Sequence, residues 1–373
     1  MIRVLHIFNE IKYSGAEIMY NNAAPLFMKQ QVKLYAFATG RVVGDFEPEF
    51  IKQGIKVWHE PLPNYKKPIE LIKYIFQTIA FIKNNQIDLI HIHRSNAKWL
   101  FSFVAKLAGI SCLYTVHNVF KNRKTTWIKA YLERWSARVC FGLQFQSIGQ
   151  SVYENELYYY RTPTIRINNW FDNGKFYPAV SPEEKELLRQ KLGIPKDKFV
   201  LISTGGCSVV KNHHAILNAI ALLPNKDNII YLHLGCGATE QEERVLASQL
   251  DIADRVFFLG NKVNVRDYLV SSDLYLMTSL FEGLGNAALE AMACGIPSIL
   301  YNSPGLRDLI QNDDKGLLIE QNIDKLCESI DWMRTHVLQA TLKAEKALRA
   351  VNDEFSMEKN VNQIIKLYLS LMK

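Results

Sequence analysis

Two glutamates eight residues apart, set in a glycine-rich string, carry the densest chemistry in the chain. The string runs Phe281-Glu282-Gly283-Leu284-Gly285-Asn286-Ala287-Ala288-Leu289-Glu290-Ala291-Met292-Ala293-Cys294-Gly295-Ile296-Pro297. It follows an apolar run, Leu274–Met277, that reads as a strand. Gly283 and Gly285 open a helix predicted from Asn286 to Ala293, and Gly295 and Pro297 stop it. Backbone N–H groups of residues 284–287 then sit at a helix N-terminus, where directed donors and the positive end of the helix dipole suit a diphosphate. Glycine lets a bulky anion approach the backbone closely. Glu290 falls inside the helix beside Leu289 and Met292, where a carboxylate is costly without a polar partner. The two hydroxyls of a ribose would be such a partner. An E-x7-E spacing alone is common by chance; the whole string after a strand is specific.

Other reactive residue types read as structural. Gly235-Cys236-Gly237 follows a strand, but Glu240 stands where a dinucleotide fingerprint needs its third glycine, so it reads as a tight turn. His213 and His214 read as the start of a helix. The six cysteines, at 112, 140, 207, 236, 294 and 327, form no C-x-x-C pair and read as reduced structural thiols of a cytosolic protein. The nine histidines show no zinc-like spacing with them.

The elements that must position these residues alternate between strand and helix. Strands are predicted at Ile2–Phe8, Val32–Ala38, Lys56–His59, Leu89–His93 and Leu113–His117, with helices at Ala16–Lys29, Ile69–Asn84 and Ala97–Ala108. The pattern restarts with strands at Phe199–Ser203, Ile229–Leu234, Val256–Leu259, Leu274–Met277, Ser298–Leu300 and Leu317–Ile319, and with a helix at Asn212–Leu222. Such alternation gives parallel sheets covered on both faces. The expected fold class is α/β: two Rossmann-like domains, residues 1–170 and 171–355, whose sheets face each other across a ligand cleft. A last helix, 356–373, follows a polar break with Ser356 as its N-cap.

Composition narrows the function. The 373 residues are 48% apolar and 22% charged, which is globular and suits two domains. No apolar run is long enough to span a membrane, and Met1 leads straight into a strand without a signal peptide. The formal charge of +7 is uneven: residues 61–150 hold 13 Lys+Arg against 3 Asp+Glu. Nothing in that basic half matches a nucleic-acid module. Instead, Asn118–Arg138 interleaves Lys121, Arg123, Lys124, Lys129, Arg134 and Arg138 with Phe120, Trp127, Ile128, Tyr131, Leu132 and Trp135. A basic amphipathic helix with two tryptophans suits an anionic membrane surface; the alternative is a solvated helix with both Trp in the core.

The glutamate-bearing string resembles the E-x7-E signature of the family 4 glycosyltransferases, which have the GT-B fold, and the resemblance extends over most of the chain. Ser14-Gly15-Ala16-Glu17 is similar to the family's G-G-A-E loop, Asp88–His93 to its D-I-I-H-x-H strand, and Thr115–Asn118 to its T-x-H strand end. Asn169–Asp172, with Phe176, resembles its interdomain segment, and Pro304-Gly305-Leu306 the loop after the signature. The resemblance implies a retaining glycosyltransferase. It would move a hexosyl or N-acetylhexosaminyl group from a UDP-sugar, or next a GDP-sugar, to a glycan acceptor. A polyprenyl-diphosphate-linked acceptor in surface polysaccharide synthesis is expected, with the enzyme in the cytoplasm, peripheral on the inner face of the membrane. By position it implies that Glu290 holds the ribose, Glu282 contacts the donor sugar, and the backbone of Leu284, Gly285 and Asn286 holds the diphosphate. Gly15 admits the phosphates to the first-domain loop, His117 lies near the transferred sugar, and Lys211 neutralises the leaving group. The family commonly places Arg five residues before that lysine; Gly206 stands there, so neighbouring backbone donors or the Ser208 hydroxyl are expected to substitute. No D-x-D pair occurs at a matching position, so metal-independent chemistry is expected, with no cofactor. A sugar-nucleotide epimerase of the same fold and a non-catalytic nucleotide-sugar binder are the alternatives.

Overall fold

A computed structural model describes residues 1–119, 124–224, 226–311 and 313–372. The chain divides into two compact units, Met1–Trp170 with Met357–Lys373, and Phe171–Ser356.

The first unit alternates β1 (Ile2–Phe8), α1 (Gly15–Lys29), β2 (Val32–Ala38), α2 (Glu47–Lys52), β3 (Lys56–His59), α3 (Pro68–Asn84), β4 (Leu89–Ile92), α4 (Lys98–Ala108), β5 (Ser111–Val116), α5 (Lys124–Phe141), β6 (Gln144–Ser147), α6 (Gln150–Glu154) and β7 (Ile165–Arg166). All pairings are parallel, in the order β3-β2-β1-β4-β5-β6-β7. Strands covered on both faces need unbroken apolar runs, and β1 and β2 supply them: the last five residues of each are buried.

The second unit holds α7 (Pro182–Leu192), β8 (Phe199–Thr204), α8 (His213–Leu222), β9 (Ile229–Leu234), α9 (Glu240–Gln249), β10 (Val256–Gly260), α10 (Val265–Ser271), β11 (Leu274–Met277), α11 (Asn286–Ala293), β12 (Ser298–Tyr301), β13 (Leu317–Ile319), α12 (Ile323–Thr335) and α13 (Val337–Phe355). Its parallel sheet runs β10-β9-β8-β11-β12-β13. The last helix, α14 (Met357–Leu371), belongs to the first unit. Its Val361, Ile364, Ile365, Leu367 and Tyr368 join the core made by Val4, Phe8, Tyr20 and Phe27.

The two-sheet α/β architecture is the one expected. Local differences have physical causes. β4 ends at Ile92, although His93 N–H still reaches Ile7 C=O at 2.9 Å. The polar stretch before the last helix is not a break, because α13 continues to Phe355. Ser356 alone separates the two helices; its backbone is extended and forms a bridge with Phe171.

Candidate functional site

In an open parallel sheet, ligands bind beyond the carboxyl ends of strands where the strand order reverses. In the second unit that point lies between β8 and β11, which are neighbours although β9 and β10 lie between them in sequence. The loop after β8 carries Gly206, Ser208 and Lys211; the loop after β11 carries Glu282, Leu284 and Gly285. Backbone contacts clamp these loops together. Leu280 N–H donates to Val210 C=O at 2.8 Å, and Thr278 Oγ1 donates to Asn212 C=O at 2.9 Å. Lys211 Nζ then meets Glu282 Oε1 at 2.6 Å, with both side chains largely shielded. The Lys211 stem lies along Gly205, where a Cβ would sit 3.4 Å from Lys211 Cε.

Glu282 is held from behind, its N–H donating to Pro304 C=O at 2.8 Å. Three residues later Gly285 turns the chain into α11 with φ +83. A side chain there would be strained by that conformation and would also meet Leu306 Cδ2 at 2.6 Å. Ala288 and Leu289 N–H bond to Gly285 C=O. The first amides of any helix lie outside its i→i−4 ladder, which is why they can serve a ligand. Leu284 is buried, so its side chain anchors the turn.

Glu290 is half-buried on α11, and desolvation raises its carboxyl to about 8, Lys175 partly offsetting the rise. The group is thus held mostly protonated at neutral pH, and hydrogen-bond donors would favour its charged form. Gly206 is exposed and Ser208 half-exposed at the same loop. A Cβ at Gly206 would meet Cys236 C=O at 3.1 Å, so a larger residue there would press on the 235–237 turn.

Gly15 and His117 lie in the first unit. Gly15 is the exposed first residue of α1, where Ser14 Oγ donates to the buried carboxylate of Glu17. His117 follows β5 and ends a chain of imidazoles: its Nε2 meets His93 Nδ1 at 2.8 Å, and His93 Nε2 meets His6 Nδ1 at 2.9 Å. Burial pushes His117 down to about 4 and His6 to about 3, and His93 well below its ordinary range. All three rings are therefore neutral at pH 7. Each contact requires one donor and one acceptor, so the three tautomers are locked together. Beside them His91 contacts Tyr368 OH and Thr115 Oγ1, each at 2.6 Å, and Thr115 donates to Gln146 Oε1. Sequence spacing could not show this chain, because parallel neighbours β1, β4 and β5 are distant in sequence.

The basic helix divides its residues differently from the expectation. Phe120, Lys121, Arg123 and the side chain of Lys124 lie outside the described residues. Arg134 is not a surface cation: its guanidinium is buried, pairs with Glu156 through bonds of 2.8 and 3.0 Å, and stacks on Tyr160 at 3.7 Å. The two tryptophans part ways. Trp127 turns inward and donates to Tyr159 C=O at 2.9 Å; Trp135 is exposed. Ile128, Leu132, Trp135 and Val139, at helical spacing, form an exposed apolar row on α5. They flank a concavity of about 1050 Å³ lined by Tyr65, Lys98, Trp99, Lys129 and Glu133. Among the described residues no helix is long and apolar enough to cross a membrane.

The cysteines and histidines also differ from the sequence reading. All six thiols are free. Cys112, Cys207 and Cys294 are buried as expected of core residues, but Cys140 and Cys236 are exposed. In the second unit Cys207, His213, His233 and Glu243 converge, all buried, with their ligand-type atoms within 4.8 Å of one another. Their irregular spacing hid this grouping, since it is made by the β8–β9 adjacency and not by a local motif.

Comparison with known proteins shows the family and the fold. Residues 13–205, more than half of the chain, match the family Glycosyltransferase Family 4, and residues 184–336 match Glycosyl transferases group 1. The chain belongs to the family 4 glycosyltransferases, enzymes of the GT-B architecture. It is 26% identical over 325 residues, 83% of each chain, to the UDP-Gal:alpha-D-GlcNAc-diphosphoundecaprenol alpha-1,3-galactosyltransferase of Escherichia coli. Among solved structures it superposes on a glycosyltransferase from Rickettsia africae with a TM-score of 0.86 at 18% identity, covering 100% of this chain and 99% of that one. It also superposes on HepE of Anabaena in complex with UDP and glucose, with a TM-score of 0.83 at 21% identity and full coverage of both chains. At those identities the superpositions establish the fold.

Proposed function

We propose that the protein transfers a hexosyl or N-acetylhexosaminyl group, with retention, from a UDP-sugar to a lipid-linked glycan in bacterial surface polysaccharide assembly. GDP-sugars are the second donor class. The observation that carries the proposal is the pairing of Lys211 with Glu282 at the β8–β11 switch point, directly before the helix that presents Glu290. Cleaving an anomeric C–O bond leaves negative charge on the diphosphate and positive charge on the sugar, so a preorganised cationic phosphate site does most of the work. Lys211 and the amides at Leu284, Gly285 and Asn286 take the diphosphate. Glu282, released from Lys211 by the incoming phosphates, accepts from donor-sugar hydroxyls. Glu290 accepts from the ribose diol. Gly206 and Ser208 contribute backbone and hydroxyl donors in place of the family's arginine. In the first unit Gly15 admits the phosphates and neutral His117 contacts the transferred sugar. The leaving phosphate takes the acceptor's proton, so no metal and no covalent carboxylate enter the step.

The UDP side is supported by the UDP-Gal donor of the Escherichia coli relative and the UDP held by HepE. The lipid-linked acceptor is supported by that relative's diphosphoundecaprenol substrate and by the apolar row on α5, which would rest on the inner membrane face as a peripheral contact. The test is thermal stability with UDP, GDP, ADP and NAD, followed by product analysis with the matching nucleotide sugar. A single nucleoside diphosphate should raise Tm, by the equivalent of about 2.7 kcal/mol at 100 times its Kd. Product should form only with acceptor, with retained anomeric configuration. Sugar isomerisation without acceptor would make the protein an epimerase; binding without turnover would make it a sensor. No response to any nucleotide would overturn the donor site.

A further inference from the structure

We infer that Cys207, His213, His233 and Glu243 form a zinc site that pins the phosphate-facing loop of the second unit. The four residues come from four segments: the loop after β8, the first residue of α8, the buried strand β9, and α9. Their exposures are 2, 5, 0 and 1%. Cys207 Sγ lies 3.1 Å from His233 Nε2, His213 Nδ1 lies 3.3 Å from Glu243 Oε1, and His233 Nε2 lies 4.0 Å from Glu243 Oε2. Donors at about 2.0–2.3 Å from a tetrahedral zinc are separated from one another by about 3.3–3.7 Å. The observed spacings bracket that range.

The surroundings are those of a metal site. Among the described residues Glu243 Oε2 is buried with no hydrogen-bond partner, an uncommon state for a carboxylate oxygen and one that a cation would relieve. Thr239 Oγ1 donates to Glu243 Oε1 at 2.7 Å, fixing the carboxylate. His233 Nδ1 meets Ser203 Oγ at 3.2 Å, which leaves Nε2 for the ion, the outer-shell arrangement that orients metal-bound imidazoles. One thiolate, one carboxylate and two neutral imidazoles cancel a dication, so the interior carries no net charge. Mixed sulfur, nitrogen and oxygen donors in a closed set of four fit Zn²⁺ in a structural role, with no open position for substrate.

The position gives the site a consequence for the loop. Cys207 lies between Gly206 and Ser208, and the turn at 235–237 is packed against it so closely that a Cβ at Gly237 would meet Cys207 C=O at 2.3 Å. An ion binding Cys207 and His213 would close the loop segment that contains Lys211 at both ends. This inference rests on residues apart from those proposed to touch the donor, so either can fail alone.

The test is metal content and cobalt spectroscopy of the full chain. Protein dialysed after expression in zinc-supplemented medium should retain one zinc per chain by mass spectrometry. Stripped with a chelator and titrated with Co²⁺, it should show thiolate-to-cobalt charge transfer and the intense visible bands of a tetrahedral ion. Cys207→Ala should abolish both, whereas Cys236→Ser, which alters the exposed neighbouring thiol, should leave both intact. Thr239→Val keeps all four ligands and should weaken zinc binding about 10–100-fold. Near-UV circular dichroism confirms folding; if Cys207→Ala does not fold, the cobalt spectrum of the natural chain and the Thr239→Val affinity decide. Folded natural protein that takes up no stoichiometric zinc, or a cobalt spectrum lacking sulfur charge transfer, overturns the inference. Unchanged zinc binding in folded Cys207→Ala does the same.

Discussion

Glu290→Gln removes an ionisable group from α11 while keeping its size and hydrogen-bonding reach. Burial raises the folded carboxyl from an ordinary 4.5 to about 8. The folded chain therefore binds a proton that the unfolded chain has already lost between those values. Stability contributed by this group is greatest below pH 4.5, falls as pH rises, and levels off above 8. Each tenfold change in proton affinity corresponds to about 1.4 kcal/mol, so the rise sets an upper bound of about 5 kcal/mol. The side chain keeps some solvent contact, and Lys175 opposes the rise, which brings the expected effect to about 2 kcal/mol. Glutamine has no such slope. Urea denaturation should show the variant equal to the natural chain at about pH 5 and more stable by about 2 kcal/mol at about pH 8.5. A saturating nucleoside diphosphate reverses the ranking: ribose hydroxyls donate to the ionised carboxylate, so the natural chain is stabilised and the variant much less so. Parallel pH profiles for the two proteins would refute the desolvated-carboxyl argument. An undiminished nucleotide shift in the variant would refute the ribose assignment.

Lys211→Ala leaves Glu282 without its partner and the diphosphate without its cation; kcat in a donor-turnover assay should drop about 10²–10³-fold. Arg134→Met strands the fully buried Glu156 and should cost about 3–5 kcal/mol in urea unfolding, whereas the double change with Glu156→Leu should recover much of it. Leu132→Glu puts a charge in the middle of the exposed α5 row. It should abolish flotation with phosphatidylglycerol vesicles without changing Tm, and protein that never floats would exclude the membrane contact.

The sequence was most informative where local physics sufficed. Parallel strands must be apolar throughout, so runs such as Ile229–Leu234 announce themselves, and glycines that open and close a short helix mark out α11. It was least informative where partners come from distant strands. β6, Gln144–Ser147, reads as polar; it is a strand because it pairs between β5 and β7, where Gln146 Nε2 is satisfied by Ile167 C=O at 2.7 Å. Arg134 reads as a surface charge until Glu156, on the segment after α6, is brought against it. The imidazole row His6–His93–His117 and the cluster at Cys207 depend on strand order, which periodicity does not encode. Glu282 and Glu290 were legible as a pair, but the ion pair of Glu282 with Lys211, 71 residues away, was not.

The last helix sets an order for biosynthesis. The second unit is one continuous stretch of chain, 171–356, and can close its core as soon as that stretch has emerged from the ribosome. The first unit cannot. Tyr368 and four aliphatic side chains of α14 complete a core begun by Val4 and Phe8, and Ser111 Oγ donates to Leu371 C=O. Although translated first, residues 1–170 must wait through the synthesis of the entire second unit with an apolar face uncovered. That interval is when a nascent chain is most exposed to aggregation. A stop codon at 357 would spare the second unit and leave the first unfinished.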